Sequence, residues 1–196
     1  MSKAEKTRQF IIEKTAPIFN KKGYSGTSLN DITEATGLTK GSIYGNFGNK
    51  DEVALAAFDY NHATLSSAIK RKMEDKAHPI DKIKVFLDVF ADLQYVTNLK
   101  YGCPILNTAI EADDTHEQLR LRAANAIDKW YKNIGGIIES GQETGQIKDG
   151  VDAKEFAGAY IAIIEGGIML TKVTGKQDGI NAAVAYAKKM LKELHP

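Results

Sequence analysis

The feature that most constrains the fold of this chain is a pair of short helices joined by a glycine near the amino terminus. Thr27 or Ser28 can accept a hydrogen bond from an exposed amide as the N-cap of the first helix. Gly37 can take the left-handed conformation that a sharp helix exit needs, and Thr39 can cap the second helix. The pattern therefore predicts a helix-turn-helix within about residues 28–47.

The apolar residues of this segment predict which faces are buried. Leu29, Ile32 and Ala35 are three apart and share one helical face, and Ile43 and Phe47 are four apart and face inward. The side chains left to point elsewhere on the second helix are Lys40, Ser42, Tyr44 and Asn46.

A second helix of this kind can lie in the major groove of DNA with its first side chains at base edges. Lysine, hydroxyl groups and the free amides at helix starts suit phosphate contacts. The alternative is a surface helical hairpin that binds nothing, since such shapes recur without DNA. The pattern favours DNA binding.

A longer set of residues extends the pattern on both sides. It consists of Phe19, Gly23, Tyr24, Thr27, Ser28, Asp31, Ile32, the run from Gly37 to Tyr44, Phe47, and the run from Lys50 to Glu52. Their order and spacing closely resemble the DNA-binding domain of the TetR (tetracycline repressor) family of transcriptional regulators, across residues 10–58. The all-helical remainder is similar to that family with far less specificity.

The resemblance implies which residues contact DNA. It assigns phosphate contacts to Thr27 and Ser28 and close backbone approach to Gly41. The other implied contacts are Thr39, Lys40, Ser42, Tyr44, Asn46 and Lys50, with Tyr44 and Lys50 on phosphates. Two positions depart from the family's pattern: Gly45 often has a bulkier counterpart, and Asn46 stands where His or Tyr is usual. Asn46 could pair with adenine or simply touch a phosphate.

Charge is distributed unevenly along the chain. The 196 residues carry a net charge of only +1, but residues 1–50 hold eight Lys and Arg against four acids. The rest of the chain is therefore slightly acidic. A basic module on a mildly acidic body fits a DNA-binding protein whose larger part does something else.

The remainder shows helical periodicity and no strand pattern, so the predicted fold class is all-α with about nine helices. We expect a three-helix DNA-binding domain at residues 1–49 and a larger ligand-binding and dimerisation domain at residues 50–196. Pro17 should kink or strain the first helix. The helices are expected at about residues 3–22, two short ones, 50–76, 79–97, 104–112, 115–143, 152–174 and 178–194.

The last two helices are rich in small residues, and a mid-helix glycine costs about 1 kcal/mol against alanine. Close helix approach would offset that cost, within one chain or between two. The resemblance implies a homodimer built from these helices, on an operator with palindromic half-sites. The expected interface residues are Tyr160, Gly166, Gly167, Ala183, Tyr186, Ala187 and Met190.

The resemblance also implies a ligand cavity, which would favour a small hydrophobic or aromatic effector. Residues that could line it, or could be plain core, are Phe86, Phe90, Tyr95, Cys103, Asn107, Trp130 and Tyr131. Cys103 precedes a proline at a helix start, where a thiol pKa can fall, so an electrophile or redox sensor is an alternative. A lone cysteine is more often an inert small hydrophobe.

No catalytic motif spacing occurs, and the four histidines are scattered. We therefore expect no enzyme, no catalytic residue, no metal and no cofactor. No signal-peptide pattern or long apolar run predicts a membrane partner, and the single cysteine fits a cytoplasmic location. Repression is the outcome that the resemblance implies. We expect ligand to relieve it by swinging the fourth helix, because that helix joins the DNA-binding domain to the rest of the chain. A helical protein of this fold without DNA binding is the alternative.

Overall fold

Local capping chemistry determines where most helices of this chain begin and end. The computed structural model describes residues 2–92 and 100–196, and across these it contains nine α-helices and no strand. They are α1 (Lys3–Lys22), α2 (Leu29–Thr36), α3 (Lys40–Asn46), α4 (Lys50–Met73), α5 (Pro79–Ala91), α6 (Pro104–Ala112), α7 (Glu117–Glu143), α8 (Ala153–Thr174) and α9 (Asp178–Lys192).

The helices group into two units. Among the described residues, the first contains 2–65 and 100–124, and the second contains 66–92 and 125–196. The helix α4 is continuous through the division at Leu65, so each unit contains part of it.

In the first unit, α1 packs against α2, α3 and α6, and α2 packs against α3. The buried side chains at their centre come from α1, α2, α3, the α3–α4 connection and the start of α4. They are Ile11, Ala16, Phe19, Ile32, Ile43, Phe47, Val53, Ala54 and Ala57. This core holds the two short helices at a fixed angle to α1, because each contributes an isoleucine to it.

Pro17 lies inside α1, which nevertheless continues to Lys22. The side-chain amide of Asn61 on α4 donates to the carbonyl oxygen of Ala16 at 2.9 Å, beside the proline. A proline removes one helical hydrogen bond and crowds the preceding turn. The contact from α4 therefore supports α1 close to its weakest point.

In the second unit, α8 and α9 form an extensive antiparallel pair and α5 packs against both. Gly167 lets the pair approach closely, because a Cβ there would lie 2.5 Å from the Cβ of Ala183 on α9. Asp152 caps α8 through the Glu155 amide at 2.8 Å, and Gly175 ends it in the left-handed conformation.

Several helix ends differ from the sequence-based prediction. The helix α4 ends at Met73 rather than near residue 76, and α9 ends at Lys192. The helix α7 begins at Glu117, two residues after the predicted start. The ring nitrogen Nδ1 of His116 accepts from the Leu119 amide at 3.3 Å.

Candidate functional site

The second helix of the first unit starts with a reciprocal capping box. Ser28 is the N-cap, its hydroxyl oxygen accepts from the Asp31 amide, and the Asp31 carboxylate accepts from the Ser28 amide at 2.8 Å. Lys22 donates to the same carboxylate at 2.5 Å. The Lys22 and Ser28 hydrogen bonds hold the pKa of Asp31 well below its usual range. The box leaves Ser28 exposed at the start of α2, as a phosphate contact requires.

Thr27 is placed differently from the prediction. It is fully buried, and its hydroxyl donates to the carbonyl oxygen of Gly23 at 2.6 Å. This bond satisfies a carbonyl at the end of α1, which would otherwise lack a partner. The hydroxyl therefore faces the protein, and a phosphate contact through it is not supported.

The third helix presents a polar face around its first turn. Thr39 is its N-cap, with a hydroxyl that accepts from the Ser42 amide at 3.2 Å. Lys40 and Gly41 are exposed, Tyr44 is 37% exposed, and Ser42 is half-buried. No atom outside the helix lies within 4 Å of a Cβ built at Gly45. The face can therefore approach a DNA groove closely, with backbone amides as well as side chains.

Asn46 ends the third helix with its side chain folded back. Its amide nitrogen Nδ2 donates to the Ser42 carbonyl oxygen at 2.8 Å. Base-pair reading by asparagine needs both the amide donor and the carbonyl acceptor on adenine. This bond uses one of the two N–H groups of the amide, so the second N–H remains for an adenine or a phosphate contact.

Lys50 starts α4 and is held by an aromatic ring. Its ammonium nitrogen lies 4.2 Å from the centroid of the Tyr24 ring, within the range of a cation–π contact. The Tyr24 hydroxyl donates to the Asp51 carboxylate. This bond, together with burial and the Asp51 charge, raises the pKa of Tyr24 to about 12. The rings of His116 and Tyr24 pack edge-to-face, with their centroids 4.7 Å apart.

The loop between α1 and α2 is held by a residue that sequence reasoning missed. The Glu111 carboxylate on α6 accepts from the backbone amides of Tyr24 and Ser25, both at 2.8 Å. Gly23 permits this approach, because a Cβ there would coincide with the carboxylate. Nothing in the local pattern of α6 indicates this role, since the partners are 87 and 86 residues away.

Asn107 belongs to the same first unit. Its side-chain amide donates to the backbone and side-chain oxygens of Asn20, at 3.0 and 2.8 Å. Cys103 is fully buried at the N-cap position of α6. Both residues were predicted to line a ligand cavity. Asn107 lines a separate pocket of the first unit with Phe19 and Glu111, and neither residue lines the aromatic cavity of the second unit. The burial of Cys103 also argues against a thiol that meets electrophiles directly.

The second unit contains an apolar cavity of about 200 Å³, open solvent at its mouth included. Phe90 and Trp130 pack edge-to-face in its wall, with ring centroids 5.2 Å apart. Phe86 also lines it, and both carboxylate oxygens of Glu165 are buried. The full lining is Phe86, Phe90, Trp130, Ile134, Tyr160, Ile161, Ile164 and Glu165.

Tyr131 and Tyr95 were also predicted to line the cavity. Tyr131 packs against α8, where a Cβ at Gly158 would lie 2.9 Å from its hydroxyl, and it does not line the cavity. Tyr95 lies outside the described residues.

Tyr160 was assigned to the dimer interface, and the structure places it in the cavity wall instead. It is completely buried within one chain, and its hydroxyl donates to the Ile83 carbonyl oxygen at 3.3 Å. Burial, followed by the Asp88 charge, raises the pKa of this hydroxyl far above its usual range. A side chain held in this way is not available to a partner subunit.

The other residues predicted for the dimer interface lie on two different faces of α8 and α9. Gly167 and Ala183 meet in the contact between these helices of one chain, and Ala187 is fully buried. Gly166 faces open space, and Tyr186 is 57% exposed. Met190 is half-buried. The outward face also carries exposed apolar residues that sequence reasoning missed, namely Met169, Leu170 and Val173.

The helix α8 is also, by length and composition, apolar enough to cross a membrane, with a mean hydropathy of 1.4 over its most apolar stretch. A single helix of this kind is weak evidence of a span, because helices of water-soluble cores share the property. Within the described part of the chain, no group of three or more His, Cys, Asp or Glu side chains could hold a metal ion.

A capped third helix that packs with α1 and α2 and exposes a polar face is the arrangement of a helix-turn-helix DNA-binding regulator. Residues 11–57 match the family model described as bacterial regulatory proteins, tetR family, and residues 79–187 match the tetracyclin repressor-like C-terminal domain. The chain therefore belongs to the TetR family of transcriptional regulators.

Individual relatives agree with this assignment. A TetR-family regulator from Cytophaga hutchinsonii has a solved structure with a TM-score of 0.91 and 40% identity, covering 100% of this chain and 98% of that one. The regulator TtgR of Pseudomonas putida is 31% identical over 83% of this chain and 79% of its own length. The transcriptional repressor DhaR of Mycobacterium sp. is 27% identical over 89% and 86%. These relatives are regulators of transcription, a class whose members are generally not enzymes.

Proposed function

We propose that two copies of this chain bind a two-fold-symmetric DNA operator and leave it when an apolar molecule occupies the cavity of the second unit. The observation that carries the proposal is the exposed third helix, with Thr39, Lys40, Gly41 and Tyr44 on one accessible face. Ser28 and Lys50 flank it at helix starts, where phosphate contacts are favoured.

The outward face of α8 and α9 supports dimerisation. Met169, Leu170, Val173 and Tyr186 expose apolar surface there, and Gly166 leaves room for a partner helix to approach. Exposed apolar patches on folded proteins mark contact sites. A two-fold dimer would place two third helices on half-sites roughly 34–36 Å apart, which implies a palindromic operator.

The cavity favours a mainly apolar, aromatic effector. Phe86, Phe90 and Trp130 offer ring faces, and pockets of this type gain affinity chiefly by burying apolar surface. Glu165 is the acidic residue in the lining, and its oxygens suit a ligand that also carries a hydrogen-bond donor. The effector would shift the population of two conformations only by its differential affinity for them, with α4 as the lever because it is shared by both units.

Repression rather than activation is supported by the name of the relative DhaR, a transcriptional repressor. A regulator of this kind must reach chromosomal DNA, which places it in the cytoplasm. The exposed apolar surface of α8 is then explained by a second subunit instead of a lipid bilayer.

The test begins with duplexes that the wild-type chain selects from a random library. Affinity should fall steeply as salt rises, by about 0.9 in log K per log salt for each phosphate contacted. Lys40→Ala should weaken binding and lower that slope, whereas Lys82→Ala, on α5, serves as a control of equal charge and should change neither. A chain that selects no sequence, or binds without dependence on salt, would instead have kept the fold and lost DNA binding.

The effector proposal is tested on the same selected duplex. A panel of small aromatic molecules should include members that release the protein, and Trp130→Ala should raise the concentration required. Equal affinity of an aromatic ligand for the free and the DNA-bound protein would contradict the population shift.

A further inference from the structure

The third helix cannot be held in place by its own hydrogen bonds. It has seven residues, two of which, Gly41 and Gly45, disfavour a helix. Isolated helices of this length are not stable in water. Its last turn contains no basic side chain to interact with the terminal carbonyl groups. The orientation of this helix therefore depends on contacts from elsewhere in the first unit.

Arg8 on α1 supplies such a contact at the carboxyl end. Its guanidinium nitrogen Nη1 donates to the Asn46 carbonyl oxygen at 2.6 Å. Its guanidinium carbon lies 3.8 Å from the centroid of the Phe47 ring. Asn46 is the last residue of the third helix and Phe47 is its C-cap, so one side chain touches both.

The chemistry of the contact depends on a planar cation. A guanidinium group can stack flat on a ring and donate in its own plane at the same time, whereas an ammonium group cannot. A positive charge also interacts favourably with the carboxyl end of a helix. Phe47 is only 1% exposed and belongs to the core of the unit, so the ring provides a rigid base.

Arg8 is half-buried, and its donor group is directed at the protein. Lys40, by contrast, is exposed on the outer face of the third helix, where DNA can reach it. We propose that Arg8 is a positioning residue that sets the orientation of the recognition helix, and thereby sequence discrimination, without itself binding phosphate. The inference rests on the proposed DNA-binding function.

The test compares Arg8→Lys and Arg8→Gln with Lys6→Gln in the full chain. Lys6 is an exposed cation on the same helix, so its variant controls for loss of charge. Affinities are measured for a duplex that the wild-type chain selects from a random library and for a scrambled duplex of the same composition, across a range of salt.

Both Arg8 variants should weaken binding to the selected duplex, by about tenfold if one charged hydrogen bond is lost. In both Arg8 variants, affinity for the scrambled duplex and the salt slope should stay at the wild-type values. In Lys6→Gln, affinity for both duplexes and the salt slope should all match wild type. The proposal is overturned if Arg8→Lys behaves as wild type. It is also overturned if Arg8→Gln weakens both duplexes equally and lowers the slope by about one phosphate.

Hydrogen exchange provides a measurement that does not involve DNA. The amides of Ile43 and Phe47 bond to Thr39 and Ile43 within the third helix, and they should exchange faster in both Arg8 variants. The Gly37 amide at the end of α2 bonds to Thr33 and should exchange as in wild type. Unchanged exchange in the third helix would refute the restraint even if the wild-type chain selected no duplex, an outcome that would count only against the proposed function.

Discussion

At the scale of single residues, glycines and buried hydroxyl groups determine the geometry around the helix-turn-helix. Gly23 has φ 72° and ψ −178°, a backbone region that only glycine adopts readily. The Glu111 carboxylate occupies the place where its side chain would begin. The junction of α1 and α2 therefore combines a backbone requirement with a steric one.

Gly23→Ala should destabilise the fold by about 2–4 kcal/mol, because it adds strain and displaces the Glu111 carboxylate. Gly37→Ala is the matched control: its φ is 68°, but a Cβ there has no atom within 4 Å. It should cost only about 1–2 kcal/mol, the penalty for a left-handed residue. Chemical denaturation measures both, and equal losses would remove the role assigned to Glu111.

Tyr24 predicts an effect of alkaline pH on stability. Its pKa in the folded chain is raised from 10.0 to about 12. The protonated hydroxyl therefore contributes stability that is complete below pH 10 and is lost as pH rises toward 12. Wild-type stability should fall more steeply than that of Tyr24→Phe across this window, as followed by denaturation at each pH. Parallel curves would mean that the Asp51 hydrogen bond does not persist in solution.

At the scale of helices, local chemistry determines where an element ends and tertiary contacts determine what its residues do. The ends at Gly23, Gly37 and Gly175 follow from glycine, and the caps at Ser28, Thr39 and Asp152 follow from hydroxyl and carboxylate side chains, so sequence alone predicts them. The role of Thr27 could not be predicted, because its hydroxyl could face either DNA or the α1 carbonyl group.

In the candidate site, too, the sequence predicted the helices but not which way each side chain faces. Sequence reasoning assigned Tyr160 and Gly166 to one interface, but they are six residues apart on α8 and lie on different faces: the first faces inward and the second outward. Asn107 and Cys103 were assigned to a cavity because their helix was expected to face it. Arg8 carries no local signal, since its partner lies 38 residues away.

A substitution at Gly45 tests whether DNA binding requires a position without a side chain on the third helix. An alanine there should stabilise the helix by about 0.5–1 kcal/mol, since φ is negative and the space is open. Gly136→Ala, in an open stretch of α7, should give a similar gain. We expect only the Gly45 variant to lose affinity for a duplex selected by wild type. Unchanged affinity would show that DNA does not approach that position closely.

Substitutions at the neighbouring glycines of α8 distinguish an effect on folding from an effect on dimerisation. Gly167→Ala should destabilise the chain by about 1–3 kcal/mol, because its Cβ would lie 2.5 Å from that of Ala183. Gly166→Ala should leave the monomer fold intact and weaken the dimer, as thermal unfolding and sedimentation across a concentration series would show. A Gly166 variant that dimerises as tightly as wild type would place the interface elsewhere.

At the scale of the whole molecule, the proposed function requires two chains, because one third helix can contact only one half-site. Val173 is 81% exposed on α8 and is the most accessible large apolar residue of the outward face. A charge at this position would be buried in the proposed interface without a partner, which is costly.

Val173→Asp should shift the chain toward monomer and reduce operator affinity together, as measured by light scattering and DNA binding at matched concentrations. Ile110→Asp makes the same change at an exposed residue of α6, 72% accessible, and should leave both properties unchanged. A monomeric Val173 variant that kept full operator affinity would contradict the need for a dimer.

The short third helix has an implication for how such a regulator can diversify. The side chains on its accessible face are separate from Ile43 and Phe47, which anchor it in the core. Substitutions at the outer positions can therefore accumulate with little damage to folding. Descendants of this chain could acquire new target sequences one residue at a time, while the scaffold beneath them stays the same.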